Sequence, residues 1–325
     1  MRAVLCRAYG PPESLDLAEI ETPTPAAGQV VIAIRACAVN YPDTLIIQGK
    51  YQYQPPLPFS PGTDVAGVVA AVGEGVTGLT VGDRVVTLVF HGGYAEAVAA
   101  DARRVVRIPD GVDFVTAAAS LLTYGTAYHA LVDRADIQPG ETLLVLGAAG
   151  GVGLAAVDLG KRLGARVIAA ASSAEKLAAC REYGADEVID YSAEELRERL
   201  KALAPNGVDV VFDPVGGALA EPALRGVGWK GRYLVIGFTG GEIPRIPLNL
   251  PLLKGCSLVG VFFGAFVQRE AAHSLANTHR LLDWIAAGQI KPLVSQTYPL
   301  ERVADALNAV LARRAIGKLA LVMGE

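Results

Sequence analysis

The segment "VLGAAGGVG", residues Val145 to Gly153, follows the apolar run "ETLLV" and leads into an alanine- and leucine-rich stretch. Glycines between a strand and a helix let the backbone come close to an anion, and the free N–H groups of the first helical turn favour negative charge. The spacing departs from GxGxxG. Aligned on "GGVG", Ala148 stands where the first glycine would, followed by Gly150, Gly151, Val152 and Gly153; read the other way, the pattern is Gly147-x-x-Gly150-x-x-Gly153. In a strand–turn–helix context it predicts a pyrophosphate cradle and therefore a dinucleotide. The next strand, "RVIAA", ends in Ala171, Ser172 and Ser173, with Lys176 one turn later. An acidic residue there would take a ribose 2′-hydroxyl, whereas a hydroxyl and a lysine suit a 2′-phosphate, so NADPH is favoured over NADH. The plain alternative for Lys176 is a solvated surface lysine.

Other reactive residue types form no constellation. His91, His129, His273 and His279 pair with no serine or cysteine nucleophile, and His273 and His279 are six apart, not at the i, i+4 spacing of a metal pair. No GxSxG elbow is present. Cys6, Cys37, Cys180 and Cys256 are far apart and form no CxxC, which argues against a disulfide framework or a structural zinc and fits a reducing compartment. The net charge of −4 offers no general attraction to nucleic acid. The N-terminus lacks a signal-peptide core, and no apolar run reaches the ~18 residues of a membrane span. A cytoplasmic protein is expected.

These residues need elements to hold them. The 325 residues, 52% hydrophobic and 19% charged, suffice for two globular domains. The first ~115 residues read as strands and turns, with runs such as "QVVIAIRACAV", "DVAGVVAAVG" and "DRVVTLV" separated by Gly, Pro and Asp. From Asp113, a helix start signal, "DFVTAAASLLTYGTAYHALVD" is helical in pattern. Strands and helices then alternate through "TLLVLG", "VGLAAVDLGKRLGA", "RVIAAA", "AEKLAACREYG", "EVIDY", "AEELRERLKAL", "VDVVFDPVG" and "GRYLVIG". Short β/α alternation with apolar strands predicts a doubly wound parallel sheet. Beyond Leu250, "CSLVGVFFGAF" reads as an edge strand, "EAAHSLANTHRLLDWIAAGQI" as a helix and "KLALVM" as a last strand.

Together, "AVNYPDTLIIQGKY", "PFSPGTDVAGVVAAVGEGV", "GDRV", "GGYAE", "AAASLLTYGTAYHAL", "GAAGGVG", "DPVGG" and "GKLALV" resemble the zinc-independent quinone oxidoreductase branch, the zeta-crystallin-like group, of the medium-chain dehydrogenase/reductase superfamily. The resemblance covers nearly the whole chain. It implies an α/β protein with a GroES-like β-barrel catalytic domain over 1–118, completed by 256–325, and a Rossmann NADPH-binding domain over 119–255. Zinc alcohol dehydrogenases of the superfamily carry a ligand Cys where this chain has Asn40, and the His of a GHE motif where it has Gly62, Thr63 and Asp64. Asn and Thr are poor zinc ligands, so no metal is expected.

The resemblance further implies that Asn40 faces nicotinamide and substrate, that Thr126 holds the cofactor, and that Tyr51, or the nearby Tyr41, lies by the substrate. Asp43 and Asp64 then brace loops. Tyr191 resembles the tyrosine beside the adenosine and 2′-phosphate. Gly216 and Gly217, then Gly237, Phe238 and Thr239, follow strands whose C-terminal ends line the ligand crevice. Phe262 and Phe263 either flank the nicotinamide or pack in the core. Arg313 approaches the 2′-phosphate, with Arg314 its competitor. The expected activity is hydride transfer from NADPH to a quinone or similar electrophilic carbonyl, by a homodimer. The alternative is an enoyl or 2-alkenal C=C reductase, on acyl thioesters among others. From a different class comes an NADPH-binding structural or RNA-binding protein, which the acidic balance disfavours.

Overall fold

In a computed structural model describing residues 1–324, the β-branched runs of the N-terminal region become strands between turns. They are β1 (Arg2–Leu5), β2 (Asp16–Glu19), β3 (Gln29–Val39), β4 (Asp64–Val72), β5 (Arg84–Leu88), β6 (Ala97–Asp101) and β7 (Val106–Arg107), with helix α1 (Tyr41–Ile46) after β3. Helix α2 (Phe114–Tyr128) starts where Asp113 accepts from the Thr116 N–H and hydroxyl at 2.8 and 2.7 Å, a side-chain cap.

The alternating region gives β8 (Thr142–Leu146), α3 (Gly151–Arg162), β9 (Arg166–Ala171), α4 (Ala174–Glu182), β10 (Glu187–Asp190), α5 (Leu196–Leu203), β11 (Val208–Asp213), α6 (Ala220–Arg225), β12 (Val227–Val235), α7 (Asn249–Lys254), β13 (Ser257–Gly260) and α8 (Phe263–Arg269). The chain closes with α9 (Ala271–Ala286), β14 (Val294–Pro299), α10 (Val303–Leu311) and β15 (Lys318–Val322).

Two compact units result. Met1–Leu122, Ala271–Gly288 and the segment from Pro292 onward form the first; Thr123–Glu270 and Gln289–Lys291 form the second. In the first, a seven-stranded sheet runs β14-β15-β3-β4-β5-β7, with β6 also on β3. Its core includes Ile32, Ile34, Val65, Tyr94 and Leu321. A further cluster sets Ala117 and Leu121 of α2 and Leu282 of α9 against Ala36, Ala66 and Val86.

The second unit is a six-stranded parallel sheet in the order β10-β9-β8-β11-β12-β13. This is the doubly wound arrangement in which ligands sit beyond the C-terminal strand ends. The unit boundaries differ from the sequence-based ones. The first crossing falls after Leu122, not 118, and residues 256–270 stay with the parallel sheet. The reason is pairing: β13 aligns Ser257 with Arg232 and Gly260 with Val235 on β12. The expected edge strand is therefore β13 alone, and Phe263 opens α8 instead. Among the described residues no helix is long and apolar enough to cross a membrane.

Candidate functional site

Strand β8 ends at Leu146, and Gly147 turns the chain with φ 56°. A left-handed φ is costly for residues with a Cβ, so Gly147 is the glycine the turn itself needs. Ala148 is fully buried and donates its N–H to Ala170 O at 3.0 Å. Its methyl therefore costs the turn nothing, which explains the irregular spacing. Gly150 is the N-cap of α3, with no side-chain cap, and Gly151, Val152 and Gly153 form the first turn. A Cβ on Gly153 would lie 2.3 Å from Gly147 O, so helix and turn pack more closely than any side chain allows. Uncapped N–H groups at the end of a parallel strand fit a pyrophosphate.

Beside it, β9 ends in Ala171, and Lys176 Nζ donates to Ser172 Oγ at 3.2 Å. Ser173 caps α4, accepting from the Lys176 N–H. The cap fixes the turn, and the turn brings the ammonium back over the strand end. Tyr191 follows β10, donates its N–H to Ala171 O at 3.1 Å and packs on the sheet core. The nearest strand carboxylate, Asp190, accepts from the N–H and hydroxyl of Ser192 instead. A hydroxyl and a cation, with the neighbouring acid already engaged, fit a 2′-phosphate.

At the end of β11, the buried Asp213 carboxylate accepts from the N–H groups of Val215 and Gly216 at 2.8 and 2.9 Å, and from the Tyr233 hydroxyl. Burial pushes its pKa up and these bonds oppose that. Thr239 donates from N and Oγ1 to Pro214 O at 3.0 and 2.9 Å, and a Cβ on Gly216 would meet Phe238 at 2.8 Å. Gly216, Gly237, Phe238 and Thr239 are thus brought together at the sheet's C-terminal ends. Asp213, a brace that sequence reasoning missed, holds them; only its position just before "PVGG" hinted at it.

Thr126 is buried on α2. Gly125, next to it, leaves room for Phe263: a Cβ there would lie 2.6 Å from that ring. Phe263 is 7% exposed whereas Phe262 is 58% exposed, so the two rings have different surroundings. The chain continues from α2 as a π-helical turn, His129–Arg134. His129 there meets Asp133 at 2.8 Å and stacks on Phe266 at 3.8 Å between centroids.

The first unit holds the other candidates. Asn40 follows β3 as the N-cap of α1 and is 4% exposed. Its N–H donates to Asp43 Oδ2 at 2.8 Å, and the same oxygen accepts from the Tyr94 hydroxyl at 2.8 Å. Asn40 Nδ2 donates to Asp64 Oδ2 at 2.9 Å, with Thr63 Oγ1 and Ala38 O at 3.4 Å. On the far side of the amide, the buried Lys318 ammonium donates to Asn40 Oδ1 and, at 2.6 Å, to Val39 O. Burial raises Asp43 to about 6 and Asp64 to about 7. It lowers Lys318, an effect that Asp64, Asp43 and Cys37 oppose. Asp43 and Asp64 thus both accept from Asn40. Lys318 was not anticipated; a lone lysine heading the apolar run "KLALVM" was its only signal.

Tyr51 is half-buried, its phenol pKa raised by burial and by Asp43, while Tyr41 opens α1. The Thr63 carbonyl accepts from the Val89 N–H at 2.8 Å. Phe90 and His91 follow, with Tyr53 5.6 Å from Phe90 and stacked 6.4 Å from His91, and Arg104 5.6 Å over Phe90. Arg313 is an exposed residue of this unit with φ 54°. Among the described residues no three His, Cys, Asp or Glu side chains converge as a metal site.

A family model described as alcohol dehydrogenase GroES-like domain matches residues 26–110, and one described as zinc-binding dehydrogenase matches residues 151–280. The chain is 38% identical over 324 residues to a quinone oxidoreductase-like protein 2 homolog of Nematostella vectensis, covering 98% of this chain and 88% of that protein. It is 35% identical to a quinone oxidoreductase of Homo sapiens, covering 99% and 98%. The crystal structure of Escherichia coli quinone oxidoreductase complexed with NADPH superposes with a TM-score of 0.92 at 32% identity, covering 99% of this chain and 100% of that one.

Proposed function

Because the chain belongs to the medium-chain dehydrogenase/reductase superfamily of oxidoreductases, we propose that it is an NADPH-dependent quinone reductase acting without zinc. The reading is carried by the Ser172–Lys176 pair at the end of β9, in a chain similar along its length to a quinone oxidoreductase complexed with NADPH. Gly147, Gly150, Gly151, Val152 and Gly153 would hold the pyrophosphate, and Ser172, Lys176 and Tyr191 the 2′-phosphate end. Gly216, Gly237, Phe238 and Thr239, with Thr126 and Phe263, would hold the rest; Phe262 and Arg313 are the outlying candidates.

When bound, the nicotinamide supplies a hydride. The residues of this chain bind and orient. Asn40, bonded to an ammonium and a carboxylate, has a donor set suited to an organic oxygen rather than to a divalent cation. With an amide and a hydroxyl as the donors at Asn40 and Thr63, the site would suit an acceptor that is already electrophilic. The aromatic group of Tyr53, Phe90 and His91 in the same unit would suit a planar conjugated ring better than an aliphatic chain. Tyr51 and Tyr41 are the phenols nearest Asn40 in the chain. Four unpaired thiols fit a reducing compartment such as the cytoplasm, and the exposed edge of β13 fits a homodimer.

The test is NADPH oxidation with a simple quinone, a 2-alkenal and an enoyl thioester at matched concentrations. The quinone should give the highest kcat/KM. Turnover of the thioester alone would replace quinone reduction by C=C reduction.

A further inference from the structure

A lysine with its whole side chain in a protein core is expensive, because a buried ammonium loses its hydration unless partners compensate. Lys318 is 6% exposed, and the apolar residues Leu319, Ala320 and Leu321 already seat β15 against β3. A methionine at this position would hold the strand at lower cost. The chain nevertheless delivers the lysine deliberately: Gly317, at φ 68° and packed against Leu293, turns the backbone so that Lys318 enters beside Val39 and Asn40.

We propose that Lys318 is a positioning residue for the reaction, fixing the Asn40 carboxamide so that Nδ2 is its donor toward the acceptor oxygen. A primary amide is nearly isosteric with its own flipped form. Here the Lys318 ammonium sits on Oδ1 and an Asp64 carboxyl oxygen on Nδ2, and since an ammonium cannot accept from an NH2 group only one orientation is satisfied. Nδ2 has two hydrogens. One is bound to Asp64 at 2.9 Å, and the other has only the 3.4 Å contacts to Thr63 Oγ1 and Ala38 O. That second N–H is the one left for a ligand. Withdrawal of electron density toward the ammonium strengthens it as a donor. Hydride arrival at a quinone leaves negative charge on oxygen, and a preorganised donor aimed at that charge accelerates the step.

The inference rests on the acceptor-facing reading of Asn40, and a double-mutant cycle separates the two. The proteins are wild type, Lys318→Met, Asn40→Ala and the double variant, each loaded with NADP+ and titrated with 2-hydroxy-1,4-naphthoquinone, an anion at neutral pH that mimics the charged product. Steady-state turnover with a neutral quinone accompanies the titration. Lys318→Met should weaken the anion and lower kcat by roughly tenfold or more, with KM for NADPH unchanged. In the Asn40→Ala background it should change either quantity by less than about twofold. Lys318→Arg should recover part of the loss, and Lys318→Gln replaces the Met variant if that fails to fold. Full additivity, or a lowered melting temperature with anion binding and kcat intact, would overturn the role of Lys318. An Asn40→Ala enzyme with wild-type anion affinity and kcat would instead remove the reading of Asn40, and the inference with it.

Discussion

Asp64 is fully buried between Asn40 and Thr63, and its carboxyl is raised to about 7, first by burial. The sign of the consequence follows from linkage. A carboxyl whose folded pKa lies above its unfolded value of 3.8 binds its proton more tightly in the native state. Its stabilisation is complete below the unfolded value and is lost as pH rises through the folded one. Asp43, raised to about 6, adds to the same window. Asp64→Asn keeps an acceptor for Asn40 but cannot ionise. Its melting temperature minus that of wild type should therefore grow between pH 5 and 8; a constant difference would mean that Asp64 titrates normally. At this scale the sequence was only half legible. Ser172 and Lys176 stand out because residue type and spacing match a chemistry, and Asn40 only because the chain resembles a known family. Lys318 reaches Asn40 from a strand 278 positions away, and no local pattern encodes that distance.

Among the described residues strand β13 pairs with β12 alone and so ends the parallel sheet with an open edge. Around that edge Leu252 is 78% exposed, Leu253 73% and Trp229 73%, with Leu258 also exposed. Trp229 lies over Gly255, which binds the α7–β13 turn to this edge. An exposed strand edge bordered by large apolar side chains is a pairing surface unless something covers it. Antiparallel pairing of β13 with its copy would satisfy both features. Light scattering at micromolar concentration should give twice the 33.9 kDa chain mass, and Leu258→Lys with Leu252→Asp should return it to one; a monomeric wild type would contradict the dimer. The strand itself was legible from "CSLVGVFF". What followed was not, because an apolar run does not say where a strand yields to a helix, and α8 takes Phe263 onward. Strand β14 and helix α10 also escaped notice. "VSQTYP" has too few apolar residues to mark a strand, and α10 lies outside the β/α alternation that made helices of similar length legible.

For the molecule as a whole, the β/α alternation in the sequence was enough for the parallel sheet, since strands buried on both faces must be nearly all apolar. The first unit was harder, because its sheet is completed by β14 and β15 from the far end of the chain. The family accounts for that completion where composition does not. We propose that the molecule uses NADPH and that Ser172 with Lys176, both in the second unit, selects it. The most direct measurement is kcat/KM for NADPH and for NADH with one quinone, in wild type and in Lys176→Ala. Wild type should prefer NADPH by about tenfold or more, a difference of roughly 1.4 kcal/mol. The variant should lose most of that preference by a rise in KM for NADPH, with NADH kinetics unchanged. Equal use of the two cofactors by wild type, or equal losses for both in the variant, would contradict the account.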